Sequence, residues 1–282
     1  MSDVIVKSYS QGAVSILTRA QDNVVIQTTA QATIVLSDAG VIYAPTFAGV
    51  AHMQVRFSDL VGTLAIGDPI GSVTPFGTLV ASPLTASGTA RPTLAQDGLG
   101  RVHAALDGVD DVLSVSGLSL SFSGGFSMFA VVDRDTTSPM FSGIFRADAG
   151  SVAAAGSIIE WYTTSTGTSI NRALINRLGG VIGYFDRSGW PANTVTSEGA
   201  IFASAAGVRG AYVDGTLVAS TLVGATAVPP GTVTRIRTTG YNDTKFKGKL
   251  YDLVVYQGVL TAPQIAEVTT YLRNQWNGGA AF

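Results

Sequence analysis

The sequence predicts an all-β chain: an antiparallel sandwich that ends in one C-terminal helix and follows a small β-rich N-terminal segment. Short apolar and β-branched segments recur along most of the 282 residues, and Gly, Asn and Asp turn residues separate them. Only one stretch, close to the C terminus, has the 3.6-residue apolar period of a helix. Strands at such short spacing, with almost no helix between them, are typical of sandwiches. We expect an N-terminal segment at residues 1–46 and a sandwich domain at residues 47–282.

The N-terminal segment is predicted to form four short strands, at residues 4–6, 13–17, 24–27 and 33–36. So small a segment buries too little apolar surface to form a good core by itself. We therefore expect it to pack against copies of itself in an oligomer or against a partner protein. A plain N-terminal subdomain of the same monomer is the alternative.

The pattern changes from about Phe47. Residues 68–92 hold four prolines in turn-like settings, which predicts loops with short extended pieces. Two-residue hairpin turns are predicted at Leu178-Gly-Gly-Val181 and Val213-Asp-Gly-Thr216, since both place glycine where positive φ is needed. Further strands are predicted at 102–106, 112–116, 126–132, 141–146, 156–163, 171–177, 181–186, 200–205, 208–213, 216–222 and 233–238.

The C-terminal region combines a long strand with a well-signalled helix. Residues 246–256 have the apolar and aromatic mix of a packed strand. Thr261 is predicted to cap the helix, because Gln264 stands three residues later and completes a capping box. Gly278 is placed to end the helix. One helical face carries Ile265, Val268, Leu272 and Trp276.

Composition excludes several classes of function. The net charge is −2 and 13% of residues are charged, against about 25% in an average domain, so no electrostatic footprint for nucleic acid is present. The chain has no cysteine, which excludes disulfides and thiolate sites. No run of about 18 apolar residues is present, so we expect no membrane-spanning helix. The first residues lack the pattern of a secretion signal, so we expect synthesis in a cytoplasm.

Several motifs, in this order, resemble concanavalin A-like (laminin G-like) jelly-roll domains. Residues 91–113 begin Arg-Pro-Thr-Leu and end Asp-Gly-Val-Asp-Asp-Val-Leu, a string similar to the opening of such domains. Residues 126–132 resemble their central strand, and Val-Asp-Gly within 213–216 resembles a hairpin of theirs. The strand 247–256, with the Leu-Thr-x-x-Gln start of the helix, resembles their closing elements. The likeness covers about Val50 to Asn277 and implies a jelly-roll sandwich.

Charge-poor domains of this kind, behind a small β-rich head, resemble proteins of phage or phage-like (gene-transfer-agent) virions, such as tail fibres and head spikes. That resemblance implies a location on the particle surface, with the N-terminal segment docked to virion proteins. It also implies a homo-oligomer whose jelly roll binds a host surface glycan. Purely structural decoration without a ligand is one alternative, and a polysaccharide depolymerase is another.

The turn Asp107-Gly-Val-Asp-Asp111 has two interpretations. Its carboxylates can hydrogen-bond nearby backbone amides and hold the turn together, as is common in the resembled family. The same oxygens suit a calcium ion. We assign no cofactor and leave the cation interpretation open as the alternative.

No assembled catalytic set is found in the sequence. There are two histidines, at positions 52 and 103, without a metal-binding spacing, and no Gly-x-Ser-x-Gly elbow. Glycosidases need two carboxylates about 5 to 9 Å apart, and Glu160 beside Trp161 has no partner that the sequence identifies. We therefore expect a protein that is not an enzyme.

Ligand binding is predicted for two loops in which aromatic rings stand beside hydrogen-bonding groups. Gly189 and Pro191 keep the first, at 184–193, from being a regular strand throughout. A ring can stack on the apolar face of a sugar while polar neighbours bond its hydroxyls. Packing of the same rings into the core is the alternative, and Trp161 and Trp276 are assigned to the core. The predicted ligand-binding residues are Tyr184, Asp186, Arg187, Trp190, Asn193, Tyr241, Asn242 and Asp243.

Overall fold

The computed structural model describes residues 5–8, 14–17, 25–27, 32–35, 43–121, 125–135, 137–138, 142–148, 158–162, 171–178, 181–187, 195–202, 209–213, 216–219, 223–224, 232–239 and 244–278. The chain divides into two compact units, Met1–Val50 and Ala51–Phe282. A short strand at 46–47 crosses the predicted boundary and pairs within the first unit.

The first unit consists of short antiparallel strands. A two-stranded sheet joins β1 and β2, and a three-stranded sheet has the order β3-β4-β5. The four strands predicted in this segment are confirmed to within about two residues at each end. The strands are β1 (Ile5–Ser8), β2 (Val14–Leu17), β3 (Val25–Gln27), β4 (Ala32–Val35) and β5 (Thr46–Phe47).

Within its described residues, the second unit contains two antiparallel nine-stranded sheets, a 3-10 turn at Phe57–Leu60 and one α-helix. Its strands are β6 (His52–Arg56), β7 (Ser72–Val73), β8 (Phe76–Gly77), β9 (Leu84–Thr85), β10 (Thr93–Gln96), β11 (Val102–Asp107), β12 (Ser114–Ser121), β13 (Phe126–Arg134), β14 (Gly143–Asp148), β15 (Ile158–Tyr162), β16 (Asn171–Leu178), β17 (Val181–Arg187), β18 (Val195–Phe202), β19 (Arg209–Val213), β20 (Thr216–Ala219), β21 (Val223–Gly224), β22 (Thr232–Arg237) and β23 (Lys247–Tyr256).

Sheet I has the order β10-β11-β23-β13-β18-β19-β20, with β6 beside β23 and β8 beside β6. Sheet II has the order β21-β17-β16-β15-β14-β22-β12-β9-β7. Sequence neighbours pair at both predicted hairpins, where Leu178 faces Val181 and Val213 faces Thr216. The predicted two-residue turns are therefore confirmed by register.

The core lies between the inner faces of the two sheets. Buried apolar side chains from sheet I, such as Met53 and Val255, belong to the same cluster as Val115, Ala147 and Ile236 of sheet II. Alternation along each strand puts every second residue on the inner face. The predicted all-β jelly-roll sandwich is confirmed.

The helix α1 (Ala262–Asn277) is the single α-helix among the described residues. The Thr261 amide donates to Gln264 Oε1 at 2.8 Å, which confirms the capping box. Gly278 adopts the left-handed conformation, with φ 59°, and ends the helix as predicted. No helix among the described residues is long and apolar enough to span a membrane.

The helix packs on the outer face of sheet I through a buried polar network. An irregular register between β13 and β23 lets Tyr251 and Asp252 both lie on that face. The Asp252 carboxylate is fully buried and accepts hydrogen bonds from Gln54 Nε2 at 2.8 Å and Trp276 Nε1 at 3.1 Å. Gln54 Nε2 also donates to the Tyr271 hydroxyl at 2.7 Å. The outer face of sheet I is thus occupied by the chain's own helix.

Candidate functional site

A single row of paired residues crosses all nine strands of sheet II. Directly paired residues of antiparallel strands lie on the same face of a sheet. With about 4.8 Å between neighbouring strands, the row is about 38 Å long. From β7 to β21 the row consists of Ser72, Thr85, Ser114, Arg237, Arg146, Glu160, Ile175, Tyr184 and Val223.

The row lies on the outer face of sheet II. On β14 the core residue Ala147 stands between Arg146 and Asp148, and on β22 the core residue Ile236 stands between Arg235 and Arg237. Because alternate residues of a strand point to opposite faces, these four charged residues share the face away from the core.

The four charged residues form one ion-pair network, here called the arginine cluster (Arg146, Asp148, Arg235 and Arg237). Asp148 Oδ2 accepts from Arg146 Nε at 2.9 Å and from Arg237 Nη2 at 3.0 Å. Asp148 Oδ1 accepts from Arg235 Nε at 3.0 Å. Charge-assisted hydrogen bonds to one carboxylate fix three guanidinium groups relative to each other. The cluster is therefore a rigid, preorganised feature of the outer face.

Exposure differs sharply within the arginine cluster. The side chains of Arg146 and Asp148 are fully buried, that of Arg237 is 8% exposed and that of Arg235 is 24% exposed. Ser116, the direct register partner of Arg235 on β12, is exposed. A ligand on this face can reach Arg235 and Ser116, whereas the buried Asp148 holds Arg235 in place.

The β7–β12 end of the row is polar and open. Ser72 and Thr85 are exposed, and Ser114 is half-buried. Hydroxyl groups both donate and accept hydrogen bonds, as sugar hydroxyls do. This end of the face offers polar contacts without apolar bulk.

The predicted ligand-binding residues fall in two parts of the structure. Tyr184, Asp186 and Arg187 belong to β17, so the predicted loop at 184–193 begins as strand. Tyr184 occupies the row, Asp186 pairs with Arg172, and Arg187 pairs with Asn171. Register thus brings Tyr184 into line with the arginine cluster, about 14 Å and three strands from Arg146. The remaining predictions, Trp190, Asn193, Tyr241, Asn242 and Asp243, lie outside the described residues.

The sequence reasoning missed the arginine cluster. Its signal is present: charged residues at alternate positions flank a single apolar residue in Arg146-Ala-Asp148 and in Arg235-Ile-Arg237. That spacing places both charges of each pair on one face of a strand. What the sequence lacks is the pairing of β14 with β22, which are far apart along the chain.

The acidic turn has the internal hydrogen bonds expected of a structural turn. The Asp107 amide donates to Asp111 Oδ2 at 2.8 Å, and the Val109 amide donates to Asp107 Oδ1 at 2.7 Å. Burial, with help from Asp107 and Asp110, raises the pKa of Asp111 to about 6. Carboxylate oxygens of Asp107, Asp110 and Asp111 lie within 4.8 Å of one another and could each offer one ligand atom to a cation. The bonds favour the structural interpretation, and the cation interpretation stays a prediction.

Comparison with known proteins supports the fold. Domain 4 of AbnA, a GH43 extracellular arabinanase from Geobacillus stearothermophilus in complex with arabinotriose, has a TM-score of 0.52 at 18% identity, covering 78% of this chain and 98% of that domain. The native heptameric SAP-like pentraxin from Limulus polyphemus has a TM-score of 0.44 at 14% identity, covering 58% and 80%. The CBM40 of the Ruminococcus gnavus IT-sialidase, bound to α2,3-sialyllactose, has a TM-score of 0.42 at 12% identity, covering 59% and 97%.

No protein-family model matches the chain, and no curated protein matches it. At these identities, similarity to solved structures is evidence of fold rather than of function. The arabinanase domain carries that evidence, because its similarity extends over nearly its whole length. The second unit of this chain is a jelly-roll sandwich.

Proposed function

We propose that this chain is a non-enzymatic surface protein of a phage-like virion that binds a host cell-surface glycan through the outer face of sheet II. The observation that carries the glycan-binding part is the arginine cluster within a polar row on the face opposite the helix-covered sheet. The virion location comes from the resemblance of the sequence to fibre and spike proteins.

Preorganisation supports binding at this face. Three guanidinium groups are held by Asp148 before any ligand arrives, so little side-chain entropy is lost when one of them contacts a sugar. Fixed polar groups of this kind orient a ligand and give specificity. Ser116 adds a hydroxyl at the paired position beside Arg235.

Aromatic stacking supplies the second part of the binding hypothesis. Tyr184 occupies the same row as the arginine cluster, and Trp190 follows within the predicted loop. Stacking of a ring on the apolar face of a sugar contributes on the order of 1 kcal/mol beyond area burial. The proposed ligand therefore extends from the arginine cluster towards β17.

A depolymerase is the second candidate, because the register places Glu160 diagonally from Asp148. Arg146 pairs with Glu160 on β15, and Asp148 lies two residues further along β14. Diagonal neighbours are about 7 to 8 Å apart, a separation found in inverting glycosidases. However, Asp148 is fully buried and its oxygens accept bonds from three arginines, so it is badly placed to reach a sugar. We therefore favour binding without catalysis.

Residues 1–46 are proposed to attach the chain to other virion proteins and to copies of itself. The motive is the small size of this segment and its short strands, which bury little surface on their own. Deletion of residues 1–46 should leave a folded sandwich that no longer enters particles. Normal incorporation of the truncated chain would contradict the docking role.

Three outcomes of one experiment separate the candidate functions. The full chain is applied to an array of host surface glycans, and each glycan it binds is then assayed for new reducing ends. Binding without sugar release supports the proposal, whereas release of reducing ends supports the depolymerase. A blank array, repeated with whole host cells, would favour purely structural decoration.

A further inference from the structure

We infer that the glycan bound by this chain is anionic, and that Arg235 contacts its carboxylate or sulfate group directly. The inference rests on the proposed function, since it assigns the chemical class of the ligand at the same face. Four properties of the arginine cluster lead to it: its charge, the unused donors of Arg235, the exposure of Arg235 and the position of Ser116.

Among the described residues, the arginine cluster has a surplus of positive charge. Its three guanidinium groups meet one carboxylate, that of Asp148. Because the central groups are buried, water and salt screen this surplus less than they would at an exposed site. An anionic ligand is attracted to such a face, whereas a neutral sugar gains nothing from it.

Arg235 retains hydrogen-bond donors for a ligand. Its Nε and Nη2 both approach the same oxygen, Asp148 Oδ1, at 3.0 and 2.9 Å. Nη2 is buried and makes no well-aligned hydrogen bond, so it does not face a ligand. Nη1 has no hydrogen-bond partner among the residues that the structure describes, and its two N–H groups are the donors of Arg235 that a ligand can use.

The accessible part of Arg235 has a suitable neighbour. Its side chain is 24% exposed, the largest exposure in the arginine cluster, and the exposed Ser116 stands at the paired position on β12. Paired residues on one face have Cβ atoms about 5 Å apart. An oxyanion above this pair can accept from the guanidinium and from the hydroxyl together.

Asp148 acts as a positioning residue in this arrangement. It contacts Arg235 and holds the guanidinium plane, and the three guanidinium groups bonded to it offset its negative charge. Arg rather than Lys is required, because the planar fork lets one side of the guanidinium bond Asp148 while Nη1 on the other side donates to the ligand.

The test uses the full chain and an array of uronate-containing, sialylated, sulfated and neutral glycans, followed by calorimetric titration of each glycan bound. We expect binding to anionic glycans only, and a loss of binding when their carboxyl groups are chemically reduced or their sulfates removed. Arg235→Gln should weaken binding at least about tenfold, and Arg235→Lys should restore only part of it. Arg91→Gln is the matched control, because Arg91 is exposed in another part of the unit and should leave binding unchanged.

The outcomes separate the two proposals. Binding to neutral glycans alone, or unchanged affinity after carboxyl reduction and desulfation, would overturn the anionic inference and leave glycan binding intact. Binding to no glycan would overturn the proposed function itself. Melting temperatures within about 3 °C of wild type show that each variant is folded, and raised salt should weaken wild-type binding more than that of Arg235→Gln. Equal salt dependence would contradict direct contact by Arg235.

Discussion

Substitution of Asp148 by asparagine removes one negative charge from the centre of the arginine cluster while keeping the shape of the side chain. Asp148 is fully buried, and it accepts from Arg146 at 2.9 Å and from Arg235 and Arg237 at 3.0 Å. After the change, the fully buried guanidinium of Arg146 loses one ionic partner, Asp148, and two further guanidinium groups stand close by.

The size of the effect follows from burial. Removal of one partner of a buried ion pair typically destabilises a protein by about 3 to 5 kcal/mol. Asparagine keeps one acceptor oxygen for the arginines, so we expect the lower end, about 3 kcal/mol. For a unit of this size, 1 kcal/mol corresponds to about 2 to 4 °C, so Asp148→Asn should lower the melting temperature by about 6 to 12 °C.

The assay is thermal unfolding followed by circular dichroism, with Asp135→Asn as the matched control. Asp135 pairs with Lys247 at 3.9 Å, and both side chains are more than a third exposed, so this change should lower the melting temperature by less than about 2 °C. In a double-mutant cycle, Asp148→Asn with Arg235→Gln should lose less stability than the sum of the single changes. A melting temperature of Asp148→Asn within 2 °C of wild type would refute the buried ion-pair network.

Three further predictions concern pH, backbone strain and stacking. Burial raises the pKa of Asp252 to about 7, so this carboxylate holds its proton more tightly in the folded state and its stabilising contribution falls as pH rises from about 4 to 7. The melting temperature of Asp252→Asn relative to wild type should therefore rise between pH 5 and pH 8, and a difference independent of pH would contradict this. Gly248 has φ +149°, and a Cβ there would lie only 2.4 Å from the Asp133 carbonyl oxygen. Gly248→Ala should therefore lower the free energy of unfolding, measured in urea, by about 2 kcal/mol or more. Gly71→Ala is the control, since a Cβ there meets nothing within 4 Å, and equal losses would argue against strain at Gly248. Trp190→Ala should weaken glycan binding by about tenfold or less with little change in melting temperature. Trp276→Ala removes a buried helix side chain that packs on sheet I, so it should lower the free energy of unfolding by about 3 kcal/mol or more. A large melting-temperature drop for Trp190→Ala would show that its ring is packed in the core.

Much of the fold could be predicted because its signals are local. The capping box of Thr261 and Gln264, the apolar stripe of the helix and the two glycine hairpins depend on residues a few positions apart. The strand β18 was predicted at 200–205 but runs Val195–Phe202. Its polar first half, Thr-Ser-Glu-Gly, has little intrinsic strand preference and becomes strand because it pairs with the central strand β13.

The site could be predicted only in part, because it is built by long-range register. Tyr184 is predicted to bind ligand from its aromatic and polar neighbours; the structure shows that it lies in β17 of sheet II, and its role in binding stays a prediction. The arginine cluster joins β14 to β22, two strands separated by more than eighty residues that include four other strands of sheet II. No local pattern specifies that pairing, so the ion pairs of Asp148 follow from the fold and not from any motif.

The central claim is that the ligand lies on the outer face of sheet II, and a bulky residue placed on that face tests it most directly. Ser116→Trp adds an indole at the exposed position beside Arg235, whereas Thr270→Trp adds the same group to the exposed side of the helix that covers sheet I. Affinity for the glycan selected on the array is measured by calorimetric titration for both variants. We predict that Ser116→Trp abolishes binding and that Thr270→Trp binds like wild type. Undiminished binding by a folded Ser116→Trp variant would contradict the claim.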